Sequence, residues 1–240
     1  MHDPQPTAPQ PDNLSPLALL WDVDGTMIDT TALIAGSLDH IYRKFFDVQV
    51  PFDELRGLIG LPLLKQAALY GDPAEHGTDL QTVIDEFIAH YEAHKHQEVI
   101  LDPVVAVLIE GKQRGFRTAL VTSKNDEELS NSLPRLGIAP YVDAVVSADT
   151  ASRPKPYPDG ILLAMKLMKI DPAEAARCLF IGDTVHDIKA GRAAGVRTVA
   201  VAWGAGGRKR LETEKPDFIC DDVEALRRCL FSASPSSSVP

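Results

Sequence analysis

Short apolar runs alternate with longer helical patterns along most of this 240-residue chain, and this alternation limits the possible folds. Continuous apolar runs of four or five residues are typical of central parallel strands covered on both faces. They occur at residues 17–21, 118–121, 144–147, 178–181 and 198–201. Helical patterns occupy residues 104–114, 126–136, 158–168 and 187–194. Alternating strands and helices predict an α/β fold with a Rossmann-like, doubly wound parallel sheet.

One segment interrupts the alternation. Residues 31–97 contain only helical patterns, and Asp29 and Thr30 supply side chains that favour the start of the first helix. We therefore predict an α-helical cap domain at 31–97, inserted after the first strand of a core domain at 14–30 and 98–230. Residues 1–13, with four prolines, and the Ser/Pro-rich tail at 231–240 are predicted to be disordered.

Composition excludes several classes of partner. The formal net charge is −10 and the pI is near 5.1, which argues against nucleic acid and anionic membranes. No apolar stretch approaches the ~20 residues that a membrane-spanning helix needs. Cys178, Cys220 and Cys229 show no CxxC spacing and predict reduced thiols. We expect a cytoplasmic protein.

The sequence DVDGT at residues 22–26 directly follows the first apolar run. Open α/β sheets bind ligands at the carboxyl ends of their strands. Asp22 and Asp24 are two residues apart in an extended segment, so we expect their side chains to face one site. Gly25 allows a sharp turn close to a ligand. Two close carboxylates favour a hard cation such as Mg²⁺, whereas a single aspartate here would only form an acidic turn.

Three further segments place polar side chains near strand ends. Thr122 ends the second buried strand, where its hydroxyl could bind a phosphoryl oxygen or cap the next helix. Lys155 lies in a proline-dense loop. It could be a fixed positive charge beside a phosphoryl group, or it could be a solvated lysine. Asp183 follows another strand and is predicted to join the cation site. Asp187, at the start of the next helix, could lie beside that site, act as the N-cap, or do both.

In this order, the four motifs resemble those of the haloacid dehalogenase superfamily, and the similarity spans residues 17 to about 230. The cap position resembles subfamily I. Residues 55–62 (LRGLIGLP) and 201–204 (VAWG) resemble phosphoglycolate phosphatases. The chain departs from that pattern in three places: Trp21 stands where phenylalanine is usual, TSK at 122–124 replaces TNK, and LDP at 101–103 replaces a Pro-Gly pair.

The resemblance implies a Mg²⁺-dependent phosphatase that acts on a small phosphorylated metabolite, with 2-phosphoglycolate as the expected substrate. Asp22 would become a phosphoaspartate, and Asp24 would act as general acid and base. The implied roles of the other residues are phosphoryl stabilisation (Thr122, Lys155), substrate binding (Gly25, Thr26, Ser123, Arg56) and Mg²⁺ binding (Asp22, the Asp24 carbonyl and Asp183, oriented by Asp187). Arg56 in the cap could instead be a solvated helix arginine.

Several alternatives stay open. The substrate could be a sugar phosphate or pyrophosphate, or the protein could be a phosphotransferase similar to β-phosphoglucomutase. Outside enzymes, a receiver-like signalling module also phosphorylates an aspartate, but it lacks a cap. The histidines His90, His94 and His96 are spaced for one helix face, although no further motif completes a zinc site. We expect a monomer or a homodimer.

Overall fold

The computed structural model describes residues 16–231. The segment predicted to be disordered at residues 1–13 lies outside this range, as does the predicted tail apart from Phe231. Phe231 is the last residue of a helix, and its ring stacks on that of Phe116 with centroids 6.0 Å apart. This helix therefore extends one residue beyond the predicted boundary of the core domain at 230.

Within the described residues, eight strands form two sheets. Their bounds are β1 (Ala18–Trp21), β2 (Ile28–Asp29), β3 (Val99–Ile100), β4 (Arg117–Val121), β5 (Ala144–Val146), β6 (Cys178–Gly182), β7 (Arg197–Val201) and β8 (Phe218–Cys220). The larger sheet has the order β5-β4-β1-β6-β7-β8, and each neighbouring pair is parallel. This confirms the predicted doubly wound parallel sheet.

Ten α-helices and four short 3₁₀-helices accompany the strands in residues 16–231. The α-helices are α1 (Thr31–Phe46), α2 (Phe52–Leu58), α3 (Leu63–Ala67), α4 (Leu80–His94), α5 (Asp102–Gln113), α6 (Asp126–Leu136), α7 (Asp159–Leu167), α8 (Val185–Ala194), α9 (Gly207–Thr213) and α10 (Val223–Phe231). The 3₁₀-helices are Pro73–His76, Lys95–Gln97, Ala139–Tyr141 and Pro172–Arg177. Among these helices, none has the length and apolarity needed to cross a bilayer.

The central strand β1 is buried on both faces because helices cover each side of the sheet. Leu19 and Trp21 belong to the hydrophobic cluster that includes residues of α5 and α10, whereas Ala18 and Leu20 belong to the cluster that includes residues of α7 and α8. Successive side chains of a strand point to opposite faces, so β1 contributes to both clusters. The register places Leu20 between Ala119 of β4 and Phe180 of β6.

Helices α1 to α4 pack around a separate hydrophobic cluster, in which Leu38 and Tyr42 of α1 and Val83 of α4 are wholly buried. The two connections between this helical unit and the large sheet pair as the short antiparallel strands β2 and β3, with Ile28 opposite Ile100. We propose that residues 31–97 form the cap domain on this basis. The two-stranded pairing brings both connections to one point at the base of the cap.

Several local features differ from the predictions. The helical patterns at residues 63–70 and 80–96 predict longer helices than the structure has, since α3 ends at Ala67 and α4 gives way to the 3₁₀-helix Lys95–Gln97. The N-cap Thr30 makes no side-chain capping bond; Asp29 Oδ1 instead accepts a bond of 3.1 Å from the Thr31 amide. Strands β2, β3 and β8 were not predicted, because runs of two or three residues carry too little periodicity.

Candidate active site

The loop after β1 turns sharply. The Val23 carbonyl accepts hydrogen bonds from the amides of Met27 (2.8 Å) and Ile28 (3.1 Å), which folds the chain back on itself. Gly25 has φ +72°, and a Cβ atom there would lie 2.2 Å from Asp183 Oδ2. A larger residue would therefore be both strained and in collision with a carboxylate. Gly25 brings the loop against the acidic end of β6, a contact that the sequence did not predict.

Asp22, Asp183 and Asp187 are the one group of three or more acidic, histidine or cysteine side chains in residues 16–231 whose possible ligand atoms all lie within 4.8 Å of one another. All three are buried, and Asp183 is wholly inaccessible. Burial raises the pKa of Asp22 to about 7, against the lowering effect of Lys155. Burial and the neighbouring carboxylates raise the pKa of Asp183 well above its usual value.

Lys155 joins two of these carboxylates. Its Nζ lies 2.9 Å from Asp22 Oδ1 and 2.6 Å from Asp187 Oδ1, and the side chain is 6% exposed. Burial alone would lower the pKa of Lys155, but Asp187 and Asp22 raise it above the usual value, so the amine stays charged. The loop lysine is a fixed buried cation and is not solvated.

Asp187 is not the N-cap of α8, one of the two roles that the sequence left open. The N-cap is Thr184, and Asp187 is the third residue of the helix and completes a capping box. Asp187 Oδ2 accepts bonds from the Thr184 amide (2.8 Å) and hydroxyl (2.6 Å), while Oδ1 faces Lys155. Asp187 thereby holds Lys155 in place. This is a supporting role beside the predicted cation site.

Asp183 is held by two neighbouring loops. Thr26 Oγ1 donates to Asp183 Oδ1 (3.2 Å), and the Ala205 amide donates to Oδ2 (2.7 Å). The Thr26 hydroxyl, predicted to bind substrate, is thus directed at a predicted metal ligand in a wholly buried position. A Cβ at Gly204 would lie 2.2 Å from Asp183 Oδ2. The glycine-rich segment at residues 204–207 packs directly on this aspartate.

Asp24 is not a member of the acidic cluster. Its carboxylate forms an ion pair with Lys124, with 3.0 Å between Nζ and Oδ1. The expectation that the side chains of Asp22 and Asp24 face one site stays a prediction, since Asp24 is not among the carboxylates whose oxygens lie within 4.8 Å of one another. Burial alone would lower the pKa of Lys124, but Asp24 and Glu128 raise it. Sequence reasoning missed this lysine, although it follows the predicted hydroxyl-bearing strand end.

Thr122 and Ser123 follow β4 with different exposure. Thr122 is 5% exposed, and its amide donates to the Val146 carbonyl of β5 (3.0 Å). Its hydroxyl accepts a bond of 3.2 Å from the Lys124 amide and does not cap α6, whose N-cap is Asn125. Ser123 is exposed. Thr122 is therefore part of the turn that presents Lys124.

Arg56 of the cap reaches the core. Its Nη2 donates to the Gly204 carbonyl (3.1 Å), and its Nη1 lies 3.8 Å from Asp53. The Nε atom is buried and has no hydrogen-bond partner among residues 16–231. Arg210 of α9 donates to the Asp53 carbonyl, so two arginines join α2 to the core beside the Gly204 segment. The arginine predicted to be a substrate ligand or a solvated residue lies at the interface of cap and core.

The cap histidines make other contacts. The rings of His40 and His90 stack with centroids 4.4 Å apart, and those of His90 and His94 with centroids 4.2 Å apart. His94 Nδ1 donates to the His90 carbonyl (2.8 Å), which occupies one possible ligand atom. The structure thus brings His90 and His94 into contact on one helix face, as their spacing indicated.

The donor set of the acidic cluster fits Mg²⁺. Mg²⁺ prefers carboxylate oxygens, and three buried carboxylates face one another here with one ammonium between two of them. Burial raises the pKa values of Asp22 and Asp183, and the negative charge of the neighbouring carboxylates adds to this effect. A divalent cation would neutralise that charge. Asp22 and Asp183 would hold the ion, and Asp187 would orient Lys155 beside it.

Comparison with known proteins shows the family to which the chain belongs. The family model for haloacid dehalogenase-like hydrolases matches residues 19–201. Pyrophosphatase PpaX of Bacillus velezensis is 33% identical over 214 residues (87% of this chain, 94% of the relative), and PpaX of Bacillus pumilus is 31% identical over 217 residues (87% and 93%). A solved structure of a predicted phosphoglycolate phosphatase from Haemophilus somnus is 20% identical, covers 90% of this chain and 98% of its own, and gives a TM-score of 0.74. The chain belongs to the haloacid dehalogenase-like hydrolase family, as a phosphatase of subfamily I.

Proposed function

We propose that the protein is a Mg²⁺-dependent phosphatase that forms a phosphoaspartate on Asp22 and hydrolyses inorganic pyrophosphate. The observation that carries the reaction is the buried Asp22 carboxylate, 2.9 Å from Lys155 Nζ and beside Asp183 and Asp187. The choice of pyrophosphate is supported by the two Bacillus relatives, which are named pyrophosphatases. Its leaving group is a phosphate anion, so the site would need cations on both sides of the broken bond.

In the proposed first step, an Asp22 oxygen attacks phosphorus and forms a P–O bond while the bridging P–O bond breaks. Asp24 gives its proton to the leaving oxygen. In the second step a water oxygen attacks the phosphoaspartate, Asp24 accepts the proton from that water, and Asp22 leaves as a carboxylate. Lys155 and Thr122 would meet charge on the transferred group. Mg²⁺, when bound, would neutralise further charge on its oxygens.

A second candidate substrate is 2-phosphoglycolate, the expectation from sequence, and one observation favours it. Arg56 lies at the interface of cap and core with a buried Nε that has no partner in the described part of the chain. A planar guanidinium suits a carboxylate, which phosphoglycolate carries at the end away from its phosphoryl group. A receiver-like signalling role is not proposed, because the chain is a member of a hydrolase family and a four-helix insert follows β1.

The test of the substrate is phosphate release by the purified full chain with Mg²⁺. Pyrophosphate, 2-phosphoglycolate, glucose 6-phosphate and β-glucose 1-phosphate should be compared at equal concentrations, with Asp22→Asn as the blank. We expect kcat/KM for pyrophosphate to exceed that for each other substrate by about tenfold or more, equal to about 1.4 kcal/mol. A larger value for 2-phosphoglycolate would replace pyrophosphate by the second candidate, and conversion of β-glucose 1-phosphate to its 6-phosphate would indicate a phosphotransferase.

Asp24→Asn should separate the two chemical steps. Without the base, hydrolysis of the phosphoaspartate should slow by roughly 10²–10⁴-fold, while phosphorylation by an activated ester should continue. We expect ³²P-labelled protein to accumulate after mixing with labelled acetyl phosphate. Hydrolysis of ordinary phosphate esters at the wild-type rate by this variant would show that Asp24 is not the acid and base.

Arg56→Ala should test the second candidate. If Arg56 binds the substrate carboxylate, kcat/KM for 2-phosphoglycolate should fall roughly 10–100-fold, because hydrogen bonds to charged groups are worth ~1.5–3 kcal/mol. Activity on p-nitrophenyl phosphate, which lacks a carboxylate, should change little. Arg43→Ala is the matched control, since Arg43 is an exposed cap arginine that pairs with Asp39. Equal losses on both esters would show that Arg56 serves only to join α2 to Gly204.

A further inference from the structure

Lys124 is a second buried lysine beside the site, and no step of the proposed mechanism uses it. Its side chain is 5% exposed, and its Nζ lies 3.0 Å from Asp24 Oδ1. Backbone bonds fix the residue, because its amide donates to Thr122 Oγ1 (3.2 Å) and its carbonyl accepts from Ala148 (2.8 Å). A buried lysine loses about 2 kcal/mol of side-chain entropy when ordered, so its fixed position requires compensating contacts.

Those contacts connect Lys124 to the cap. The ammonium lies 5.8 Å from the centroid of the Tyr91 ring, within range of a cation–π contact, and Tyr91 belongs to cap helix α4. The Tyr91 hydroxyl donates to Glu98 Oε1 (2.5 Å), and Glu98 lies in the connection from cap to core with a side chain that is wholly buried. Arg135 of α6 forms an ion pair with the other Glu98 oxygen. We call Tyr91, Glu98, Lys124 and Arg135 the hinge network.

The hinge network restricts the positions open to Asp24. The carboxylate of Asp24 is 19% exposed and has the Lys124 ammonium as its charged partner. Tyr91 covers the lysine from the cap side, and Glu128 adds a negative charge from α6. An acid or base must lie within hydrogen-bond distance of the proton it transfers, and a misplacement of 1 Å can cost about 10²-fold in rate. The orientation of this carboxylate therefore has a direct kinetic consequence.

We infer that Lys124 is a positioning residue that holds the Asp24 carboxylate in its orientation for proton transfer, and that the hinge network keeps Lys124 in place while the cap covers the site. The inference rests on the proposed acid and base role of Asp24. It predicts a deficit confined to steps that need proton transfer. A lysine that merely stabilised the fold would affect all substrates equally and would lower the melting temperature.

The experiment measures the activity of Lys124→Met, Lys124→Arg and Asp24→Asn in the full chain on two aryl phosphates that differ only in a para-nitro group. Phenyl phosphate has a poor leaving group that needs a proton, whereas p-nitrophenyl phosphate has a good one that does not. For Lys124→Met we expect kcat on phenyl phosphate to fall by about 10²-fold. The single-turnover release of p-nitrophenol should stay within roughly threefold of wild type, and phosphorylated protein should accumulate.

Lys124→Arg keeps the charge and should recover part of the loss. Lys189→Met is the matched control, because Lys189 is a half-exposed core lysine that pairs with Glu214 at 3.1 Å, and it should change neither ester. If Lys124→Met does not fold, Lys124→Gln replaces it, with a smaller loss in the same pattern, since a neutral amide holds a carboxylate less firmly.

Three outcomes would overturn the inference. Equal losses on both esters would show a structural role, a raised KM with unchanged kcat would make Lys124 a substrate ligand, and no change would remove it from the reaction. The parallel Asp24→Asn measurement separates this inference from the proposed function. If Asp24→Asn shows no preference for the good leaving group, the acid and base assignment itself fails. If Asp24→Asn shows that preference and Lys124→Met does not, only the positioning role is wrong.

Discussion

Asp22→Asn should lower kcat on every phosphorylated substrate by on the order of 10⁶-fold, the scale of loss when a catalytic nucleophile is removed. The amide is a poor nucleophile and can form no phosphoaspartate. The amide would also lack the negative charge that now pairs with Lys155, whose Nζ lies 2.9 Å from Asp22 Oδ1. Phosphate release under Mg²⁺ and labelling with ³²P-acetyl phosphate would measure both consequences.

Asp171→Asn is a matched control for this variant. Asp171 is an exposed aspartate that caps the 3₁₀-helix Pro172–Arg177 through a bond that asparagine can also make. It should retain wild-type activity, and circular dichroism should show the same fold in both variants. If the Asp22→Asn variant became labelled with phosphate, or kept more than a trace of phosphatase activity, another residue would be the nucleophile.

Removal of divalent metal should abolish activity, and Mg²⁺ or Mn²⁺ should restore it. Three buried carboxylates around one lysine leave excess negative charge where a phosphoryl group would have to bind. Excess Ca²⁺ should inhibit, because it takes more ligands at longer distances than Mg²⁺ and would displace the nucleophile. Full activity after dialysis against EDTA would contradict the metal assignment.

Mg²⁺ should also stabilise the fold in a pH-dependent manner. The folded-state pKa of Asp22 is about 7 against 3.8 as the ordinary value, so its contribution to metal-free stability is fully present below 3.8 and is lost as the pH rises through 7. Metal binding requires the deprotonated carboxylates and strengthens over the same range. At 100-fold excess over Kd the gain is about 2.7 kcal/mol, or roughly 5–10 °C in Tm.

Differential scanning calorimetry with and without Mg²⁺ at pH 5.5 and pH 8 would measure this effect. The Mg²⁺-dependent increase in Tm should be larger at pH 8. Asp183→Asn should remove most of the increase, whereas Asp217→Asn, at a core aspartate whose carboxylate bonds Thr198 of β7, should preserve it. An increase that is equal at both pH values would show that Mg²⁺ binds elsewhere.

Local sequence patterns were sufficient to predict the parallel sheet and the cap insertion. Buried strands such as β1 and β6 are continuous apolar runs that end in Asp22 and Asp183, and parallel topology brings their carboxyl ends to one edge. Short elements escaped prediction. Strand β8 has three residues, two of them only half-buried, so neither its length nor its alternation distinguishes it from a loop.

The sequence by itself indicated which residues could perform the chemistry, because Asp22 and Asp183 each follow a continuous apolar run, Asp187 closely follows Asp183, and Lys155 lies in a proline-dense loop. The tertiary structure decided how they are paired. It turned Asp24 toward Lys124, packed Gly204 on Asp183 and joined Arg56 to the core. These contacts link residues far apart in the chain, and their geometry depends on backbone turns and cap packing that no local periodicity encodes.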